Sequence, residues 1–457
     1  MANAELSRSL EPRHLAMISI GGIIGAGLFV GSSASIAAAG PAIVVSYLIT
    51  GTLVLLVMRM LGEMAMSLPT VRSFTEFARA GLGPWAGFVA GWLYWYFWMI
   101  VVPVEAIAGA NILHAWIPLP AGLLGCLLMA TMTAVNLMSA RSYGEFEFWF
   151  SSIKVAAIIA FIAIAAAYAF GWTSPHGATF ANLTSHGGFM PDGALSVLAG
   201  AVTVYFSLTG AEIITVAAAE SAEPARAVAQ LTSSIIVRIL TFYVGSIFFI
   251  VAVVPWNTIR IGDSPFTAAL LHMHFAWAGA AMDVIILTAV LSCLNSAFYV
   301  CSRVLFVLAE HGDAPQALIH LNRRRVPVRS VLLCALAGVA GILAAVAAPQ
   351  RVFAFLVDGA GALMVFIYMI VAIAHVRLRL NRERAGAPPP ALTMWLFPWA
   401  SYAAIAGMAA VLIAMAFTPS LATELQVGLI ALAVAILAYL VLRARRRSLA
   451  AAGASAD

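Results

Sequence analysis

From Gly21 to Gly31 the chain reads Gly-Gly-Ile-Ile-Gly-Ala-Gly-Leu-Phe-Val-Gly, five glycines in eleven residues. The stretch lies inside an apolar run, Leu15 to Ala39, long enough to cross a bilayer. Glycine is about 1 kcal/mol worse than alanine in a helix interior, so the sequence weakens its own first membrane helix. Two readings fit this. Gly21/Gly25 and Gly27/Gly31 have the small-xxx-small spacing of close helix packing. Alternatively the helix breaks here, and its freed amides and carbonyls, which cannot face lipid, line a cavity for a polar guest.

Composition decides the setting. Of 457 residues 63% are hydrophobic and 9% charged, against about 25% charged in soluble domains, so the chain reads as an all-α polytopic membrane protein. Twelve apolar runs can be placed, at 15–39, 41–67, 84–113, 119–139, 146–171, 193–219, 231–255, 276–308, 328–348, 351–376, 392–417 and 422–442. No cleavable signal precedes the first, which is expected to stay in the mature protein. Cys126, Cys293, Cys301 and Cys334 all fall in these runs, which argues against a disulfide framework. With the N-terminus inside, cytoplasmic ends and loops collect Arg8, Arg13, Arg59, Arg72, Arg79, Arg141, Arg303 and the clusters at 323–325, 377–384 and 443–447. External loops hold only Arg260 and Arg351, and Arg238 falls within a span. That asymmetry predicts both termini in the cytoplasm and explains a pI near 9.2 by anionic lipid, with no nucleic acid.

The segment from Pro69 to Gly83 is too polar to span and is expected to form a short cytoplasmic helix. Segment three carries a dense aromatic run, Trp92 to Trp98, that suits an interface belt or core packing as well as a substrate wall, and then Glu105. Segment six repeats the oddity of segment one: Ser207-Leu208-Thr209-Gly210-Ala211-Glu212 interrupts an apolar run at mid-depth. Interrupted first and sixth helices point to two halves of five spans each, the pattern of inverted-repeat transporters, and favour the broken-helix reading. The stretch 377–391 reads as a cytoplasmic linker, and the Ala/Ser/Gly tail after Arg447 as disordered.

Lys154 is the single lysine. About eight residues into its span, roughly 12 Å from the helix end, it is too deep to reach water comfortably. It needs a carboxylate, backbone carbonyls or an alternating proton, and a buried lysine, unlike arginine, can release one. It is therefore either a titrating coupling residue or part of a permanent pair. Glu212, in the second break, is placed to meet a substrate ammonium or to pair with an arginine, and Glu105 has the same two roles open. Glu63, Glu220 and Glu223 suit inner-gate ion pairs, and Asp283 and Asp358 an external gate. Free amides at a half-helix start favour a carboxylate, and free carbonyls an ammonium. A zwitterion carries both, and Gly25, Ala26 and Gly27 let the backbone approach it. Thr209, Ser292, Cys293 and Asn295 either complete the pocket or make ordinary interhelical hydrogen bonds.

From end to end the sequence resembles the amino acid permeases of the amino acid–polyamine–organocation superfamily, and within them the bacterial γ-aminobutyrate permeases. The motifs that carry this are GGIIGAGLFVGSS (21–33), RMLGEMA (59–65), GWLYWYFW (91–98), SYGEFEFWF (142–150), GGFMPDG (187–193), GAEIITVAAAES (210–221), SCLNSA (292–297) and HGDAP (311–315). The resemblance implies the leucine-transporter fold. Its inverted repeats would span 15–171 and 193–376, joined by an external loop at 172–192. A linker at 377–391, two added helices within 392–442, and cytoplasmic termini 1–14 and 443–457 would complete it. It further implies proton-coupled amino acid uptake at the bacterial cytoplasmic membrane, with no cofactor, metal or obligate protein partner. It assigns proton coupling to Lys154, the substrate carboxylate to Gly25, Ala26 and Gly27, and segment-six contacts to Phe206, Leu208 and Gly210.

Two departures keep the substrate open. Leu208 stands where relatives usually have a gating aromatic, and Gly27 replaces a serine common among γ-aminobutyrate permeases. The expected cargo is γ-aminobutyrate or a close relative, with a neutral, aromatic or proline-type α-amino acid as the alternative. A membrane enzyme is disfavoured by the absence of His-Glu-x-x-His, and a channel by the absence of a TVGYG-like filter.

Overall fold

The computed structural model describes residues 10–69, 71, 73–221, 223–347 and 360–454. Arg8, Arg72, Arg351, Asp358 and the side chain of Arg238 lie outside the described residues.

The first apolar run is broken as its glycines predict. It forms α1 (Pro12–Gly21), a non-helical turn, then α2 (Ala26–Phe29) and α3 (Ser32–Ala39). Next come α4 (Ile43–Ser67), the short polar α5 (Phe74–Leu82), α6 (Pro84–Trp116), α7 (Ala121–Met138) and α8 (Ala140–Ala169). Proline at the first position opens α1 and α6, where its missing N–H costs nothing. The hydroxyl of Ser139 caps α8 by accepting from the Ser142 amide at 3.0 Å. The sixth run is also broken, into α9 (Ala194–Leu208) and α10 (Ile213–Ala217). Then follow α11 (Pro224–Val253), α12 (Pro265–His272), α13 (Ala278–Glu310), α14 (Val328–Ala347), α15 (Gly361–Arg384), α16 (Trp399–Phe417) and α17 (Pro419–Ala454).

Eleven helical stretches among the described residues are long and apolar enough to cross a membrane, and Leu240–Val253 adds a shorter apolar one. Three spans pack along the span five places on: α4 lies along α11, α6 along α13 and α7 along α14. The two broken spans sit inside this frame, α1 against α8 and α3 against α9. Helix α17 is only 11% buried over its apolar window and packs on α6, α15 and α16 from outside.

Two boundaries differ from the sequence reading. Helix α15 does not end at 376 but continues to Arg384, because Arg379 reaches Glu63 and Glu383, at 3.0 Å each, and carries the helix past the apolar run. The tail after Arg447 is helical to Ala454. Alanine is the best helix former, and Arg446, one residue earlier, is anchored on Gly312 O at 2.5 Å and Asp313 at 3.2 Å.

The arginine-rich end of the bundle is closed by buried acids. Glu63 receives Arg379 and His375 Nε2 (3.1 Å) and accepts from the Met394 amide (2.5 Å), tying α4 to α15 and the turn after it. Asp313 takes Arg79 of α5 and Arg446 of α17. Glu220 pairs with Arg303 at 2.9 Å and accepts from Tyr299 Oη at 2.9 Å, with both charged side chains almost fully buried. Glu223 does not join them; it makes an exposed pair with Arg226 one turn along the same helix. Removing one member of a buried pair strands the other, at about 3–5 kcal/mol. Arg303→Met is therefore expected to lower the melting temperature in detergent markedly, and Arg226→Met to leave it unchanged.

Candidate functional site

The two breaks meet. Gly25, extended at φ −129° and ψ −157°, ends the first turn, and Gly210, at φ +121°, turns the second. A Cβ on Gly210 would lie 2.6 Å from Gly22 O, so the two backbones are in direct contact. Only glycine allows both that approach and that φ.

Several of the freed main-chain carbonyls find a side-chain partner, as a dry interior requires. Lys154 Nζ donates to Gly21 O at 2.6 Å, to Ile24 O at 2.8 Å and to Ser292 Oγ at 2.8 Å. Tyr243 Oη bridges Ile23 O and Ser207 O, 2.9 Å from each. Ser207 Oγ donates to Gly27 O at 3.2 Å. Lys154 is fully buried, so its ammonium completes the broken end of α1 in place of the missing helix turn.

The second break is held by Glu212. Its carboxylate accepts from Tyr94 Oη at 3.0 Å, Tyr368 Oη at 2.6 Å and the Gly210 amide at 3.2 Å. The arginine partner offered by the sequence reading is thus replaced by two tyrosines, and Glu212 faces α6 and α15 and not the cavity between the breaks.

That cavity measures about 20 Å³, room for roughly one water. Of the residues singled out from sequence, Gly25, Gly27, Glu105, Phe206, Thr209 and Cys293 line it. Gly22, Ile23, Phe97, Trp98, Val101 and Ser207 complete the wall, so part of the aromatic run on α6 does reach the site. Glu105 is buried beside the Cys293 thiol and the Ala26 amide, and among the described residues its Oε2 has no hydrogen-bond partner. Phe97 and Phe206 approach to 6.1 Å between ring centroids.

The other candidates lie elsewhere. Ala26 contributes backbone at the edge, and Leu208 is buried in the core. Ser292 faces Lys154. Asn295 points away from the cavity and accepts from Asn136 Nδ2 at 2.8 Å across to α7, the ordinary interhelical bond that was its alternative reading. Glu63 sits at the arginine-rich end. Asp283 is half-buried near the start of α13.

Sequence reasoning missed Glu147. It is fully buried on α8, accepts from Ser151 Oγ at 3.0 Å and from Ser292 Oγ, and among the described residues its Oε2 has no hydrogen-bond partner. Its signal was available: Glu147 precedes Lys154 by seven residues, two helical turns, on the same stripe. Tyr243, Tyr94 and Tyr368 gave no such signal, because nothing local distinguishes a tyrosine that will serve a distant break.

Comparison with known proteins agrees with this architecture. The family model described as "Amino acid permease" matches residues 14–447. The chain is 44% identical over 447 residues to the gamma-aminobutyric acid permease of Bacillus subtilis, covering 97% of this chain and 95% of that one. It is 42% identical over 435 residues to the gamma-aminobutyric acid permease of Escherichia coli, covering 94% and 93%. To the aromatic amino acid transport protein AroP of Escherichia coli K12 it is 35% identical over 421 residues, covering 92% of each chain.

Proposed function

The chain belongs to the amino acid permease family, and on that premise we propose that it imports γ-aminobutyrate together with protons across the bacterial inner membrane. The observation that carries the proton half is Lys154, one buried amine whose hydrogen bonds hold the broken end of the first span. A lysine can be relieved of its proton by desolvation where an arginine cannot. Protonated, it pins α1 to α8 and α13; neutral, it has one donor fewer and loosens that hold.

The cargo assignment draws on the gamma-aminobutyric acid permeases among the relatives and on the chemistry of the cavity. Backbone of the first break can meet a carboxylate, the buried Glu105 can meet an ammonium, and Ile23, Phe97, Val101 and Phe206 offer apolar wall to the methylenes between. At about 20 Å³ the cavity must widen to admit such a guest, and the Phe97–Phe206 contact is the part of the wall we assign to that movement. The packing of α4 on α11, α6 on α13, α7 on α14 and α3 on α9 supports two halves that rock about the breaks, in the manner of the leucine-transporter fold. We read the arginine-rich end as cytoplasmic by the positive-inside rule, which supports both termini lying inside.

One observation favours a second cargo. Phe97, Trp98 and Phe206 give the cavity an aromatic wall on which a ring could stack, and the AroP relatives are named for aromatic amino acids. Purified protein in liposomes, loaded with unlabelled candidates and given labelled γ-aminobutyrate outside, separates the two. Counterflow by γ-aminobutyrate and not by phenylalanine, tryptophan or proline is expected. Counterflow by an aromatic amino acid alone would move the assignment to the second cargo.

A further inference from the structure

Resting on the proton-coupled reading, we propose that Glu147 is the inner acceptor of the Lys154 proton, reached through the Ser292 hydroxyl. Lys154 donates to three oxygens, and two of them are main-chain carbonyls that cannot accept a proton outright. The third, Ser292 Oγ, donates in turn to Glu147 Oε1. The donors therefore run one way, from ammonium to hydroxyl to carboxylate, with each hydrogen already on the bond it would cross.

The transfer balances. An Nζ–H bond breaks as an Oγ–H bond forms, and the original Oγ–H breaks as Oε1–H forms. Lysine is left as the neutral amine, serine is unchanged, and the glutamate becomes a neutral acid. Two opposite charges disappear together, so the transfer itself leaves neither of them uncompensated, the costly alternative in a low dielectric.

The groups around Glu147 set a direction. On α8 it faces Lys154, Ser151 and Tyr143; from α13 it meets Ser292 and Ser296; from α1 Gly21 abuts it, where a Cβ would collide with the carboxylate. His14 of α1 serves the neighbouring Glu145 instead, at 3.1 Å. Arg303 lies beyond Tyr143, over the Tyr299 ring at 4.1 Å. Tyr143 Oη and Ser296 Oγ are 3.1 Å apart, the Tyr143 ring stacks on Tyr299 at 4.1 Å, and Tyr299 Oη reaches Glu220. Polar groups thus continue from Glu147 toward the arginine-rich end. On the cavity side of Lys154 the next carboxylate is Glu105, which shares its wall with the cargo. A proton that enters beside the cargo and leaves past Glu147 would travel the same way as the cargo.

The test uses the full chain in liposomes containing a pH-reporting dye, with labelled γ-aminobutyrate outside and an inward proton gradient. For Glu147→Gln, accumulation and the dye signal should both fall by about 100-fold, the usual weight of a positioned proton acceptor. Homoexchange, which needs no net proton release, should persist. Ser292→Ala should slow both proton-linked signals. Wild-type coupling in either variant would overturn the proposal. So would loss of homoexchange in parallel with uptake in monodisperse Glu147→Gln, which would make Glu147 a structural counter-charge; if that variant does not fold, Ser292→Ala decides alone. Wild-type accumulation without any dye signal would instead reject the proton-coupled reading itself.

Discussion

Lys154→Ala is expected to abolish proton-driven accumulation while leaving a fraction of homoexchange. The substitution removes the ammonium that satisfies Gly21 O and Ile24 O and binds Ser292. A single charge-assisted hydrogen bond of about 1.5–3 kcal/mol already corresponds to roughly 10- to 150-fold in an equilibrium. With that hold gone, α1 loses the partner that, in the proposed mechanism, links its position to a proton. Downhill exchange requires only that the cavity open and close around cargo, so some of it survives. Lys154→Arg sharpens the point, since it keeps a charge that does not titrate and should exchange without concentrating. The measurement is the ratio of gradient-driven uptake to counterflow in the same vesicles. Concentration of cargo by Lys154→Ala against a gradient would remove Lys154 from the coupling mechanism.

The breaks and the lysine were legible in the sequence for one reason: each violates a rule of membrane helices strongly enough to need a compensating structure. Glycine at Gly21, Gly22, Gly25 and Gly27 undermines a helix, and a lysine at depth needs partners. A break in the first span and a partner for the deep lysine were each expected separately; that the partner is the break itself, with Lys154 Nζ on Gly21 O and Ile24 O, is what the structure adds. What a polar side chain faces across a helix interface was not legible. Asn295 and Cys293 stand two residues apart in one motif, yet the first turns to Asn136 on α7 and the second borders the cavity. Spacing fixes which face of α13 each occupies, but not which neighbour covers that face. The same gap explains Glu212, for which an arginine was as reasonable from sequence as the tyrosines of α6 and α15. Helix ends were misread at α15 and α17 because an apolar window stops where side chains turn polar. The backbone continues for as long as Arg379 and Arg446 have acceptors to reach.

If contact between the two breaks is what allows them to move as a unit, then Gly210→Ala should be among the most damaging conservative changes at the described glycines. An added Cβ would lie 2.6 Å from Gly22 O, 2.8 Å from Gly22 C and 3.1 Å from Ile23 N, all main-chain atoms that no rotamer change can move. At φ +121° the alanine would also occupy backbone space that L-residues avoid, at about 1–3 kcal/mol. Relief requires the two turns to part, which pulls Gly21 O and Ile24 O off Lys154 and Gly210 N off Glu212. Transport and counterflow should then both fall to background, unlike Lys154→Ala, where exchange survives. Gly279→Ala on α13 is the matched control: nothing lies within 4 Å of its added methyl, and a helical glycine replaced by alanine gains about 1 kcal/mol. Size-exclusion profiles in detergent separate misfolding from inactivity. A monodisperse Gly210→Ala protein that transports at the wild-type rate would show that the breaks act independently, and the coupling of cargo to proton through their shared contact would have to be abandoned.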